Sequence, residues 1–190
     1  MILRQVQDTA ADAEAVRLIA EAAFEGLSDG AGAARRPEEP DRANARAVQQ
    51  AARTRHLART DPQGCWIAEH EGEAVGAALS LRREGVWILA LFVVRPGAQG
   101  QGVGRLLLER AAAHGRGCLR GLLCASPSPA AARRYRRAGF TLHPTMTLSG
   151  PVDRAGLLDP GDIPVHRGGA VHRHLLDSVD RGARGAAHGP

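Results

Sequence analysis

The sequence predicts a mixed α/β fold, a sheet with helices on its faces, and three observations carry that reading. Strand-like and helix-like segments interleave along the chain. The run Val86 to Val94 is apolar at every position, as in a strand covered on both faces and central to its sheet. That run feeds a glycine-rich loop, and the loop feeds a segment with apolar residues at helical spacing.

Taken in order, Ile2 to Val6 alternates apolar and polar residues and reads as a first strand. Thr9 caps a helix, with Asp12 in a capping-box-like place. Val16, Ile19, Ala20, Ala23, Phe24 and Leu27 form its buried stripe, and Gly26 and Gly30 mark its end. Ser28 to Pro40, rich in Gly, Ala, Pro and charge, reads as a loop. Asp41 to Arg59 is a second helix with Val48, Ala52 and Leu57 inward. Three strands follow: Cys65 to His70, Ala74 to Leu81 and Val86 to Val94, joined by turns at Glu71-Gly72-Glu73 and Glu84-Gly85. Gly102 to His114 reads as a helix with Val103, Leu106, Leu107 and Ala111 inward, and Leu119 to Ala125 as another buried strand. Ser128 is an N-cap with Pro129 at the first helical position, and Gly139 closes that helix. Phe140 to Leu148 is a last extended segment broken by Pro144.

Residues 151–190 change character, being rich in Gly, Pro, His and Arg. They are expected to form an extension to a domain spanning 1–150. A short strand (Ile163 to His166), a Gly168-Gly169 turn and a helix with Val171, Leu175 and Val179 inward would echo the strand-turn-helix at the start of the chain. His172 and His174 lie two apart on that helix and so do not share a face for a metal.

Composition bounds the function. A chain of 190 residues, 44% hydrophobic and 24% charged, suits one domain with an appendage and excludes a fibrous or wholly disordered protein. No apolar run approaches the ~20 residues of a membrane span, and the N-terminus turns polar at Arg4, unlike a secretory signal. A cytoplasmic location with no membrane partner follows as the expectation. The net charge of +5 invites a nucleic-acid reading. Yet every basic residue is arginine, lysine is absent, and Ala and Gly abound, the pattern of drift in a GC-rich genome. Aromatics at 3% are too few for base stacking, so nucleic acid is not expected as a partner. Cys65, Cys118 and Cys124 form no CxxC pair and read as buried thiols in a reducing compartment.

The chemistry concentrates in Val94-Arg95-Pro96-Gly97-Ala98-Gln99-Gly100-Gln101-Gly102-Val103-Gly104-Arg105. Glycines bring backbone N–H groups close to a ligand, and a helix N-terminus adds free donors and a positive dipole end, so the stretch is an anion site suited to a phosphate or pyrophosphate. A P-loop reading fails because no lysine follows Gly102. A dinucleotide fingerprint fails because position 105 is Arg.

The spacing Gln99-x-x-Gly102-x-Gly104 after Val-x-Pro resembles the acyl-CoA loop of the GNAT superfamily of N-acetyltransferases. Ser128-x-x-Ala131-x-x-x-Tyr135-Arg136-Arg137-Ala138-Gly139-Phe140 resembles its second signature. The element order of residues 1–150 is similar to that family's mostly antiparallel central sheet flanked by about four helices. The resemblance implies acetyl-CoA as cosubstrate, no metal, and direct attack by the primary amine of a small molecule or peptide. Phe92, Val93 and Val94 would pair with the pantetheine arm. Gln99, Gly100, Gln101, Gly102, Val103, Gly104 and Arg105 would hold the pyrophosphate, and Ser128 would touch the cofactor, although the family usually has Asn there. Tyr135 would protonate the leaving thiolate. One of Arg133, Arg134, Arg136 and Arg137 could pair with the 3′-phosphate of CoA. The strand from Val86 to Val94 carries no ionisable base, and Glu69, Glu73 and Glu84 on or beside neighbouring strands are not singled out by spacing. Arg35, Arg36, Glu38, Glu39 and Asp41 sit where the family builds its acceptor site. Dimers are common in the family, so a homodimer fits. A catalytically weak CoA-binding module, or half of a tandem acetyltransferase-like protein, is the alternative.

Overall fold

A computed structural model describes residues 1–28, 40–126, 128–144, 150–157, 161 and 164–187. The elements are β1 (Ile2–Gln5), α1 (Ala10–Ser28), α2 (Pro40–Thr60), β2 (Cys65–His70), β3 (Glu73–Arg83), β4 (Val86–Val94), α3 (Val103–His114), β5 (Arg120–Leu123), α4 (Pro129–Arg137) and α5 (Arg173–Arg184). The sheet runs in chain order, β1-β2-β3-β4-β5. Its first three pairings are antiparallel, and β4 pairs with β5 in parallel.

The hairpins are tight because Glu71 and Gly72, then Glu84 and Gly85, take positive φ, the backbone of a two-residue turn whose twist matches the strands. Period-two alternation divides the strand side chains between two cores. Ile67, Ala77, Leu79 and Val93 pack with Val16, Ile19, Leu57 and Ala58 of α1 and α2. Ala78, Trp87 and Leu89 pack with Val103, Leu107, Leu108 and Ala111 of α3 and with Tyr135 of α4. Three layers result, helices covering both faces of one sheet.

Thr9 caps α1, its hydroxyl accepting from the Asp12 amide at 3.2 Å. The Asp12 carboxylate does not complete a capping box. It accepts from the Gln7 amide and from both Arg4 Nη atoms at 2.7–2.8 Å. Arg4 Nε reaches Glu69 at 2.6 Å, so one guanidinium ties α1 to two strands.

Several expectations need correction. In α2, Val48 and Ala52 face solvent, and Thr54, Leu57 and Ala58 are the buried residues. In α3, Leu108 is buried where Leu106 was expected. β5 is an exposed edge strand rather than a buried one, and Leu119 beside it is 90% exposed. Residues 140–144 are not in a strand, and 145–149 lie outside the described residues. Of the tail strand expected at 163–166, residue 163 lies outside the described residues and 164–166 are not in a strand. α5 forms, but Val171, Leu175 and Val179 face outward. Its polar side makes the attachment: Arg181 binds Glu84 at 2.6–3.1 Å, and the Ala187 amide donates to Glu84 at 3.1 Å. Of the three cysteines, only Cys65 is buried, Cys118 being intermediate and Cys124 exposed. Among the described residues, no helix is long and apolar enough to cross a membrane.

Candidate functional site

The site forms where the sheet opens. β5 pairs with β4 only along Val86 to Leu89, so from Ala90 to Val94 the outer edge of β4 has no neighbouring strand. A register shift opposite Leu79 and Ser80 leaves Ala90 as an extra residue in β4, which bends the strand at the point of opening. The Arg53 guanidinium of α2 donates to the Ala90 carbonyl and pins the bend. The Arg95 amide donates to Val75, and by strand alternation the backbone groups of Phe92 and Val94 turn to the open edge.

Past Pro96 the chain makes one 3₁₀ turn and then the glycine loop. Gly100 and Gly102 take φ of 79° and 88°, and nothing stands within 4 Å of where a Cβ would project. The amides of Gly100, Gln101, Gly102, Val103 and Gly104 donate to nothing among the described residues. Gly102 is the N-cap of α3 and supplies no side-chain acceptor. A helix start with no cap and a run of free donors is a cradle for an anion.

A cavity of about 230 Å³ lies beside this cradle. Phe92, Val93, Val94, Gln99, Gly100, Gly102, Gly104, Ser128 and Tyr135 all line it. Three expected residues do not. The Gln101 side chain donates to Gly97 at 2.9 Å, Val103 is buried in the core, and Arg105 is exposed beside Glu109. Of these three, Gln101 and Val103 can still offer an amide to the cradle, whereas the Arg105 amide donates to the Gly102 carbonyl at 3.0 Å. The Gln99 side chain folds back to donate to the Val94 carbonyl at 3.0 Å. Ser128 caps α4, accepting from Ala131 at 3.4 Å. Lining residues that spacing alone does not mark include Ala23, Phe24, Ser126 and Ala130. Phe24 reads as core in a helical stripe, yet it is 38% exposed and lines the cavity. Small apolar residues at the ends of α1 and α4 were the available signal.

Tyr135 is 6% exposed, with its ring 5.8 Å from Phe92 and 6.2 Å from Phe140. Burial pushes its hydroxyl pKa up to about 12, so it holds its proton throughout the neutral range. No Asp, Glu or His lines this cavity among the described residues; Arg134 is its one charged side chain. Glu69 is engaged by Arg4 and Glu84 by Arg181, and Glu73 is exposed on β3. Arg35, Arg36, Glu38 and Glu39 lie outside the described residues, and Asp41 is in the first turn of α2. Burial also pushes the Cys65 thiol up to about 12, which leaves it inert. His172 and His174 make local contacts with backbone atoms of Gly169 and Val171.

The geometry agrees with what the comparisons find. Residues 61–142 match the model of the acetyltransferase (GNAT) domain family. No curated protein sequence matches the chain. Among solved structures, the PaiA N-acetyltransferase from Thermoplasma acidophilum, in complex with coenzyme A, is similar at a TM-score of 0.59 and 14% identity, over 76% of this chain and 92% of that one. Ard1 from Thermoplasma volcanium is similar at 0.53 and 18%, over 75% and 84%. A proposed acetyltransferase from Pyrococcus horikoshii is similar at 0.61 and 16%. That match takes in 98% of this chain but 58% of the other, which is the longer of the two. At these identities the likeness is one of fold.

Proposed function

We propose, on the premise that this chain carries a GNAT acetyltransferase domain, that it transfers an acetyl group from acetyl-CoA to a primary amine by direct attack. The observation that supports this best is the cradle of free amides from Gly100 to Gly104 at the mouth of the β4 opening. Consecutive amides left free by a glycine loop at a helix N-terminus, with the dipole's positive end behind them, are placed to receive an anion. In this reading the amides hold the pyrophosphate, and the open edge at Phe92 and Val94 pairs with the pantetheine arm as an added strand would. Residues 1–150 form the catalytic domain.

The amine nitrogen attacks the thioester carbonyl, so a C–N bond forms and the carbonyl oxygen takes negative charge. A free N–H on the β4 edge stabilises that charge. As the C–S bond breaks, Tyr135 gives its proton to the thiolate sulfur. The amine's own proton leaves through water, since no carboxylate or imidazole lines the cavity among the described residues.

A second reading is a CoA-binding module with little turnover, or half of a tandem protein. Two observations favour it: no carboxylate or imidazole lines the cavity among the described residues, and a longer solved protein matches 98% of this chain over 58% of its own length. Titration calorimetry of acetyl-CoA against the wild type and a Gly102→Glu, Gly104→Glu variant tests the cradle. Saturable binding that the variant loses by at least about 100-fold supports it. No binding by the wild type overturns it. An amine screen with thiol release then separates the two readings: turnover supports the enzyme, and binding without turnover supports the module.

A further inference from the structure

We propose that the groove between β5 and α4 is a channel for an acyl chain, so that the site takes medium-chain acyl-CoA donors and binds them more tightly than acetyl-CoA. The inference rests on the coenzyme A reading of the amide cradle and widens the acyl group that reading carries. The groove encloses about 850 Å³ and is lined by residues of β5, of α4 and of the stretch from Ala138 to Pro144. Ser126, Ser128 and Tyr135 line both this groove and the cavity beside the cradle, so the two spaces meet at these three residues. Past that junction the walls turn apolar, with Leu122, Leu123, Pro129, Ala132, Phe140 and Leu142. The ring of Phe140 stands 6.2 Å from that of Tyr135, so aromatic surface runs from one space into the other. No Asp, Glu, Lys or Arg is among the described lining residues. His143 is the one imidazole there; it is exposed and lies 3.1 Å from Thr141 Oγ1.

An acetyl group has no use for such a space, because its one methyl fits within the smaller cavity of about 230 Å³. A longer chain leaves the carbonyl carbon at the junction and needs a wall free of charge, since a charged group loses its hydration beside hydrocarbon. The groove offers that wall, and its volume and lining are those of a ligand pocket. Its own side chains gain from an occupant as well. Leu122, Leu123 and Phe140 are only half-buried, and Leu142 is 54% exposed. A hydrocarbon chain laid against them removes apolar surface from water on both sides. The bonds made and broken are those of acetyl transfer. The C–N bond forms at the acyl carbonyl carbon, the C–S bond breaks, and the sulfur takes the Tyr135 proton. Chain length enters through binding.

Titration calorimetry of the full chain with acetyl-, butyryl-, hexanoyl- and octanoyl-CoA, each below its micellar concentration, tests this without an amine. Affinity should rise about two- to fourfold per added methylene, hence at least about 50-fold from acetyl to octanoyl. Ala132→Trp fills the groove and should flatten the series while leaving acetyl-CoA affinity unchanged. Leu142→Asp, at an exposed position that folding tolerates, should weaken octanoyl-CoA alone. Leu119→Asp changes an exposed leucine outside the groove and should leave the whole series as it is. Saturable binding with a flat series in the wild type overturns the proposal and spares the coenzyme A reading. So does a flat series in which Leu142→Asp lowers the mass seen by light scattering, which gives the groove to a second copy of this chain. An equal loss of octanoyl-CoA affinity in Leu119→Asp and Leu142→Asp shows adsorption to any apolar surface and also overturns it. Binding of no member of the series overturns the coenzyme A reading itself, and the proposal with it.

Discussion

Helix α3 begins in a loop whose amides from Gly100 to Gly104 donate to nothing among the described residues, and it ends in a knot of polar groups that have partners. At its C-terminus, His114 Nδ1 lies 3.3 Å from Ser80 Oγ, which also reaches the carbonyls of Gly64 and Ala111 at 3.1 and 3.4 Å. His114 Nε2 lies 4.0 Å from Asp61. Asp61 in turn accepts from Thr60, the Arg82 amide and the Arg83 guanidinium at 2.7–3.0 Å. Ser, His and Asp in that sequence are the residue types of a nucleophilic triad. Ser80 is fully buried, however, and neither it nor His114 lines the cavity beside the cradle. The knot joins β3, the turn before β2 and α3, and so it is scaffold. Within one helix, satisfied polar groups mark the part that holds the fold, and the free amides mark the part to which the proposed function assigns the ligand.

The largest expected effect breaks the scaffold end. Asp61→Ala leaves the Arg83 guanidinium, whose side chain is 16% exposed, without its carboxylate. Removing one partner of a buried pair should cost about 3–5 kcal/mol, read as a lower midpoint in urea denaturation. The cradle end should respond in the opposite way. Gly102→Glu at φ 88° costs only about 1 kcal/mol of stability while abolishing acetyl-CoA binding. Wild-type stability in Asp61→Ala would show that the knot does not carry the fold.

The two ends also differ in how far the sequence reveals them. The cradle is local: a buried strand, a glycine-rich loop and an apolar-striped helix follow one another within about thirty residues, and that succession points to an anion site. The strands beside it are local too, and β2 and β4 begin and end where the alternation and the apolar run place them. The knot is invisible in one dimension. Asp61, Ser80 and His114 are far apart in the chain, and only the pairing of β2 with β3 and the packing of α3 bring them together. Errors follow the same line. Val48 and Ala52 lie on α2 at plausible inward spacing, but the helix turns Thr54 and Leu57 to the core instead. β5 has the composition of a buried strand, yet the sheet places it at the edge. In α5 the apolar stripe faces outward because Glu84, on a distant hairpin, holds Arg181. Periodicity reports that a face exists, and tertiary partners decide where it points.

A smaller effect sharpens the comparison at the cavity. Tyr135 belongs to both plans, since its ring is core and its hydroxyl reaches the cavity in the proposed role. Tyr135→Phe keeps the ring contacts with Phe92 and Phe140. Stability and acetyl-CoA affinity should therefore change little, while kcat falls by about 100-fold or more. With the hydroxyl pKa raised to about 12, the wild-type rate should show no alkaline fall near pH 10 from loss of this proton. An unchanged kcat in the variant would leave the residue as packing alone and move the acid to water.

The smallest effect is one of pH, and it belongs to the scaffold end. Burial holds the His114 pKa below its usual 6.5, Arg82 and Arg83 push it down further, and Asp61 opposes them. The folded state thus binds a proton at this ring less readily than the unfolded chain does. Its contribution to stability is complete above the unfolded pKa and is lost as pH falls below about 6.5 towards the folded value. Asp61 is lowered as well: burial raises it, but the hydrogen bonds from Thr60, Arg82 and Arg83 outweigh that. Asp12 is lowered chiefly by its hydrogen bonds from Arg4. Both carboxylates add a second loss below about pH 4. Thermal melts should be level from pH 8 to 7 and fall between pH 6.5 and 5, and His114→Asn should remove that first limb while keeping the second. The cradle is built of backbone amides and has nothing to titrate, so dephospho-coenzyme A should bind it with the same affinity at pH 7.5 and pH 6. A binding step tracking the His114 limb would join the two ends of α3 into one cooperative unit, and a level binding profile over a falling stability profile keeps them separate.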